Sequence, residues 1–492
     1  MAEAKTNKFI KGVSVQTIVT IVMGVLEVVV FSIMSRLLSR QEFGYYSALI
    51  GIISICQSIA NAGLGSAIIQ KKDGSPEHVS TAFTLSLIIG STVSLLVFVF
   101  AAPLARWIAD DSLTLALRIM SFVILFSAIV SVGNAQLYKR LEFKRVGIIQ
   151  ASSYLAASII GIVMAVMHCG LISIVMAAVL YPVFTTVLLY TTSLKIPQLH
   201  IAKNETGGII SFGGWLTLGV IVNTVTQQWD KLVLSKWLSV EALGSYNRPA
   251  GFVSTVTGKL QNIFDVVLFP MLSDIQDNRE KILSVFYRAV GLLNSFSIVL
   301  AAIFFFNAEL IIQIFFGNQW LDLAIVMRIA SIGVIFSIDS QLVDCFFRSL
   351  NYVRLGFFLR LFGALWMLLC IYIGTKYGIV GVAASIVFAN VVFIIIKMVF
   401  LSYKVKANVG TMFYTWFKAW KPAFILCIFG ALFLVFAPQT TLVRVLFAAV
   451  FGLIIIWEFA FCPSMVGVEY EKTIYPSVLK VRNELFKITK DE

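Results

Sequence analysis

Ionisable side chains at several places in this sequence lie inside long apolar runs, where placing a charge in a bilayer costs roughly 2.5 to 3.5 kcal/mol, so each is a candidate to face a cavity or a partner. Glu27 sits in the stretch MGVLEVVVFS. It either clips helices together as a protonated or hydrogen-bonded acid, or binds a coupling cation as a carboxylate. Asp230 and Lys231 are adjacent and project about 100° apart on a helix, so they do not neutralise each other across one face. Lys231 is expected to snorkel toward the surface marked by Lys236, while Asp230 needs a partner on another helix. Lys259 and Asp265 are six residues apart, roughly 120° around the axis, and each needs its own partner or water. Asp339 and Arg360 stand about ten residues either side of a turn near Leu350, which sets them at similar depth. They either form a buried pair, or Arg360 faces a cavity and grips a diphosphate with its two-pronged guanidinium.

The elements that must hold these groups are membrane helices. Of 492 residues, 59% are hydrophobic and 13% charged, with a mean hydropathy of +0.93, against about a quarter charged in a soluble protein. A span needs about 20 mainly apolar residues. Such windows run over 12-35, 43-69, 80-105, 114-137, 147-167, 170-193, 209-235, 247-272, 284-306, 322-346, 354-374, 379-402, 420-437 and 441-462, which makes fourteen. The expected fold is an all-α polytopic bundle. Lys5, Lys8 and Lys11 precede a run too long for a signal-peptide core, so the first span is retained. The net charge of +13 falls mainly between apolar runs, a sign of topology rather than of nucleic acid. Connections after even-numbered spans carry most of it, as in Lys71 and Lys72, Lys139, Arg140, Lys144 and Arg145, Lys195 and Lys203, Arg279 and Lys281, Arg348, and Lys404 and Lys406. The positive-inside rule then places both termini in the cytoplasm. The connections at 195-208 and 403-419 are the longest and neither is a domain. Residues 463-492 form a basic amphipathic tail expected to lie on the inner leaflet. The six cysteines show neither metal spacing nor a disulfide framework.

The sequence is also written twice. Ser35, Leu38, Ser39, Gly44, Tyr46 and Gly51 recur as Ser235, Leu238, Ser239, Gly244, Tyr246 and Gly251. Arg118, Ile119 and Ser121 recur as Arg328, Ile329 and Ser331; Lys139, Phe143, Arg145 and Gly147 as Arg348, Tyr352, Arg354 and Gly356; and Gly170 as Gly378. The order is collinear, with an offset between 200 and 210 residues. Two parallel six-helix lobes follow, residues 1-194 and 209-402, joined by 195-208 and trailed by two extra helices in 403-462. Transporters commonly place their substrate between such halves, which rock for alternating access.

The stretches LLSRQEFGYYSALIGIISICQSIANAGLGSAIIQKKD, YKRLEFKR, FGGWLTLGVIVNTVTQQWDKLVLSKWLSVEALGSYNRPAGF and VLFPMLSDIQDNREK resemble the polysaccharide-transport branch of the multidrug/oligosaccharidyl-lipid/polysaccharide exporter superfamily. They are most similar to Wzx-type flippases, in particular the colanic-acid exporter WzxC group. The resemblance covers spans one to twelve. It implies an inner-membrane flippase for a polyprenyl-diphosphate-linked oligosaccharide, with a V-shaped cavity and a proton or sodium gradient. The family often has Asp two residues before the Gly-Leu of its second helix; here that position is Asn61, which puts in question any ion site relying on that carboxylate.

The candidate substrate-binding residues are Arg360, Lys231, Lys259, Arg354, Arg348, Lys139 and Arg140, the last four being either topology determinants or a basic rim that draws in an anionic headgroup. The candidate ion-coupling residues are Glu27, Asp230, Asp339, Asp265 and Asn61. There is no Walker phosphate loop and no His-rich metal motif among His78, His168 and His200, so the expectation is a non-enzymatic transporter with no cofactor beyond coupling Na+ or H+. Polysaccharide polymerase machinery is a possible partner, and nothing demands more than a monomer. The rivals are a cation-coupled drug antiporter, for which an acidic aromatic cavity is expected, and a membrane enzyme acting on the same lipid.

Overall fold

The structure, a computed structural model, describes residues 2–61, 64–70, 75–108, 110–202, 206, 220–222, 224–225, 227–228, 231, 233–275, 278–350, 352–418, 420, 428, 430, 447 and 450–453. The chain divides into two compact units, Met1–Arg248 and Pro249–Glu492.

The first unit contains α1 (Ala2–Leu37), α2 (Arg40–Asn61), α3 (Leu64–Gln70), α4 (Pro76–Val99), α5 (Ala101–Ile108), α6 (Thr114–Lys139), α7 (Phe143–Val166) and α8 (Leu171–Thr192), and it ends inside α9 (Val240–Asp274). The second contains the rest of α9, then α10 (Arg279–Phe306), α11 (Ala308–Phe315), α12 (Ala324–Ser349), α13 (Val353–Thr375), α14 (Gly378–Lys404) and α15 (Val409–Lys418). Ten helices among the described residues are long and apolar enough to cross a membrane: α1, α2, α4, α6, α7, α8, α10, α12, α13 and α14. They coincide with ten of the expected windows. The window 247-272 falls within α9, and those at 209-235, 420-437 and 441-462, with the tail at 463-492, lie wholly or largely outside the described residues.

Local chemistry sets the boundaries. Ser39 and Glu42 form a capping box at α2, with Glu42 Oε2 accepting from Ser39 N at 2.7 Å and Oγ at 2.8 Å, and Ser39 Oγ accepting from Glu42 N at 3.3 Å. That exchange satisfies amides which an opening turn leaves free. Its copy, Ser239, accepts from Ala242 N at 3.0 Å at the start of α9. Ser75 caps α4, followed by Pro76 in the first turn, where a missing N–H costs nothing.

Within the window 43-69, α2 runs over Arg40–Asn61 and α3 over Leu64–Gln70, which packs on α4 and α6 through Leu64, Ala67 and Ile68. One expectation is corrected. The connection 403-419 holds the ten-residue helix α15, capped by Asn408 Oδ1, which accepts from Thr411 N at 3.3 Å. A helix of that length falls below a 20-residue hydropathy window, yet its Met412 and Trp416 are buried.

The repeat survives as structure. The run α4, α5, a 3-10 turn (Asp111–Leu113) and α6 is matched by α10, α11, a 3-10 turn (Asn318–Leu323) and α12. Gly170 and Gly378, equal positions at the openings of α8 and α14, both adopt positive φ, +55° and +67°, a conformation open to glycine at no steric cost.

In the first unit the two copies of the opening hairpin meet. A Cβ on Gly44 would land on the Val240 carbonyl oxygen, and one on Gly244 would land on the Arg40 carbonyl oxygen. Beside this backbone contact Asn247 Nδ2 donates to Ser47 Oγ at 2.7 Å, and Ser47 donates in turn to the Phe43 carbonyl at 2.7 Å. Small residues let helices approach closely, and the amide bridges them where lipid offers no water. Elsewhere in this unit Ser86 and Ser94 of α4 donate to the Ala128 and Ser121 carbonyls of α6, each at 2.8 Å.

The segment after α8 is tied down as well. Thr84 Oγ1 accepts from His200 N and Thr81 Oγ1 from Ala202 N, both at 3.0 Å. Each bond contributes about 1 kcal/mol. Replacing both threonines by valine is expected to free residues 195–202, read as faster limited proteolysis there with α4 otherwise intact.

Candidate functional site

Each unit has its own polar interior. In the first, Glu27 of α1 is half-buried and interacts electrostatically with Tyr154 of α7 and Tyr181 of α8. Those two rings meet edge to face at 5.8 Å between centroids, and the Tyr154 hydroxyl hydrogen-bonds Ser158. The group closes around Tyr46 and Arg248, which interact with each other. Arg248 is only 4% exposed, its guanidinium carbon 3.8 Å from the Phe31 ring centroid and 3.0 Å from that of Phe43. Its Nε and Nη2 lack hydrogen-bond partners among the described residues. Two aromatic faces therefore substitute for a counter-ion, an interaction that gains strength when desolvated.

The second unit concentrates its charge on α12. Asp339 is fully buried; its Oδ1 accepts from Asn294 Nδ2 of α10 at 2.8 Å and its Oδ2 from Trp416 Nε1 of α15 at 2.6 Å. Five residues on, Asp344 Oδ1 lies 2.9 Å from Nζ of Lys397 on α14. Lys397 also donates to Ser340 Oγ at 2.7 Å and lies 4.6 Å from the Phe393 ring centroid. Arg360 of α13 interacts electrostatically with Lys397 as a like charge. Its Nε donates to the Gly356 carbonyl of its own helix at 3.2 Å. The cluster thus holds two cations against one carboxylate at Asp344, an excess of positive charge suited to an anionic group.

These placements differ from the sequence expectation in specific ways. Asp339 and Arg360 do not pair, because the carboxylate is taken by Asn294 and Trp416 while Arg360 turns back on its own helix. Lys231 reaches Gln228 Oε1 at 2.8 Å, one turn back, and is half-buried. Lys139 donates to the Ile68 carbonyl of α3 at 3.0 Å. Arg348 is half-buried, its Nε 3.4 Å from the Asp344 carbonyl oxygen. Arg140 and Arg354 are exposed, and Lys259 is half-buried on α9. Asn61 is half-buried at the end of α2 with its Oδ1 lacking a hydrogen-bond partner among the described residues. Asp230 and the Asp265 side chain lie outside the described residues.

Sequence reasoning passes over Lys397, which lies inside an expected span as Lys259 does, and over Asp344 and Arg248, which stand near the ends of theirs. Asn294 and Trp416 carry no charge and give no such signal.

Residues 33–325 match a family described as polysaccharide biosynthesis protein. The chain is 24% identical over 393 residues to the lipopolysaccharide biosynthesis protein WzxC of Escherichia coli (strain K12), covering 78% of this chain and 79% of that one. It is 26% identical over 299 residues to the succinoglycan biosynthesis transport protein ExoT of Rhizobium meliloti (strain 1021), covering 60% of each. Among solved structures it is similar to the lipid II flippase MurJ in an inward closed conformation, with a TM-score of 0.71 and 14% identity over 90% of this chain and 98% of that one. A multidrug resistance MATE family transporter of the MOP superfamily gives 0.67 and 13% identity over 80% and 98%. These likenesses bear out the all-helical polytopic fold and the family resemblance. With its match running from the end of α1 to the start of α12, the chain belongs to the polysaccharide biosynthesis protein family.

Proposed function

We propose that this multi-pass membrane protein moves a polyprenyl-diphosphate-linked oligosaccharide across the bacterial cytoplasmic membrane by alternating access driven by an ion gradient, with both termini in the cytoplasm. The observation that carries the reading is the positive excess inside the second unit, where Lys397 is matched by Asp344 and the Arg360 terminal nitrogens have no partner among the described residues. A guanidinium presents paired donors to a diphosphate, and lysine adds a point charge. The named activities of relatives favour the same reading, since ExoT is a transport protein of succinoglycan biosynthesis and MurJ a lipid flippase. The MATE likeness keeps a drug antiporter as the rival, and that rival has no use for unmatched cationic charge. The protein acts as a transporter rather than an enzyme, with H+ or Na+ as its only cofactor.

The test is translocation in proteoliposomes of a labelled polyprenyl-diphosphate oligosaccharide, with an ion gradient imposed or absent and a cationic dye in parallel. The sugar lipid is expected to cross and the dye to remain. Arg360→Ala is expected to lower translocation about tenfold or more, at least ~1.4 kcal/mol, with normal membrane insertion. Unchanged translocation would remove Arg360 from the site, and transport of the dye alone would favour the antiporter.

A further inference from the structure

Among the described helices, α9 alone is shared by the two units, and its side-chain anchors change from one to the other over a short stretch. Up to residue 248 it is fixed to the first unit. Gly244 sits against the Arg40 carbonyl, Asn247 donates to Ser47 Oγ at 2.7 Å, and the Arg248 guanidinium carbon stands 3.8 Å from the Phe31 ring centroid and 3.0 Å from that of Phe43. From residue 252 it is fixed to the second. Phe252 is buried, its ring centroid 5.3, 5.5 and 6.0 Å from those of Phe315, Phe316 and Phe304. Pro249, Ala250 and Gly251 separate the two sets of anchors.

These three residues are also where the helix is least well supported. Pro249 has no N–H, so the Ser245 carbonyl loses its helical donor, and the proline ring crowds that same carbonyl. The Gly251 carbonyl accepts from Ser254 Oγ at 3.0 Å and from Thr255 Oγ1 at 2.8 Å. Such side-chain bonds compete with the backbone ladder and favour bending. Two comparisons within the chain single out the proline. In the first copy of the hairpin, α2 lies wholly in the first unit and carries Leu49 where α9 carries Pro249, while Gly51 and Gly251 are common to both. Pro182 interrupts α8, but both flanks of that helix belong to the first unit and have a single body to follow.

We infer that residues 249–251 are the flexion point of α9, where residues 240–248, held by the first unit, turn against residues 252–274, held by the second. Hinges are short segments that absorb a change in φ and ψ between rigid bodies. Both arms of α9 are clamped by side chains within four residues of each other, Arg248 between two rings on one side and Phe252 among three on the other. A change of angle therefore concentrates on the residues between the clamps, where one backbone bond is already missing.

The inference rests on the alternating-access reading above but is tested without any substrate, so the hinge can fail while sugar-lipid transport stands, and hold in a drug antiporter. The full chain is placed in nanodiscs with spin labels at Lys144 of the first unit and Lys281 of the second, both exposed. The labels enter as non-natural amino acids, which leaves the native cysteines in place. Pulsed electron paramagnetic resonance measures the distance between them with and without an ion gradient. The wild type is expected to show two distance populations. Pro249→Leu copies the residue of α2 and restores the N–H, and is expected to lower the minor population about tenfold or more. Pro249→Gly keeps the freedom of the backbone and is expected to retain both populations. Should Pro249→Leu fail to insert, Pro249→Ala restores the same N–H with a smaller side chain. One narrow distribution in the wild type under both conditions, or a wild-type distribution in the leucine or alanine variant, would overturn the proposal.

Discussion

Lys397→Met is expected to destabilise the protein by about 3 to 5 kcal/mol, because it strands the Asp344 carboxylate inside the second unit. The Lys397 side chain is 2% exposed and that of Asp344 16%, so neither charge has water to fall back on. Much of the cost belongs to the partner left behind rather than to the bond itself. Lys397→Met combined with Asp344→Leu is therefore expected to recover most of the stability, since a well-packed apolar pair often replaces a buried ion pair without loss. Thermal unfolding in detergent measures both. Translocation by the double variant then separates structure from function. The double variant removes one positive and one negative charge and leaves the excess at Arg360 in place, so if that excess serves the substrate, a stable double variant still transports. Equal damage in single and double variants would show that the pair is not what stabilises α12 against α14.

Gly44→Ala is the second large effect. The new methyl group would occupy the position of the Val240 carbonyl oxygen. Backbone cannot rotate aside as a side chain can, so α2 and the start of α9 must separate and Asn247 loses its 2.7 Å bond to Ser47. Overpacking of this kind costs about 1 to 3 kcal/mol. Gly24→Ala is the control: nothing lies within 4 Å of its would-be Cβ, and alanine in a helix interior gains about 0.5 to 1 kcal/mol over glycine. Thermal stability is expected to fall for Gly44→Ala and hold or rise for Gly24→Ala. Equal stability of the two variants would contradict the close approach at Gly44.

What the sequence makes legible follows from its physics. Hydropathy locates spans because a bilayer core demands about 20 apolar residues, and the duplicated hairpin announces the repeat through Ser39 and Gly44. Side-chain partners are harder. Counting back from the turn near Leu350 sets the heights of Asp339 and Arg360 but not their directions, and at 100° per residue direction decides the partner. Asp339 finds Trp416 77 residues away, and Lys139 finds the Ile68 carbonyl 71 residues away. No local pattern encodes either. Arg248 illustrates a different gap, since a cation held by two phenylalanine rings is invisible to any search for opposite charges.

The contact between the two hairpins has a historical side. Gly44 and Gly244 meet, and so do Ser47 and Asn247, each pair occupying equal places in the two copies. A half-length chain would offer these residues to a second molecule of itself, the hallmark of an isologous homodimer. In such an ancestor both members of a pair are the same residue and must change together. Fusion into one chain lifts that restriction, and here one position has become a hydroxyl and its counterpart an amide that donates to it.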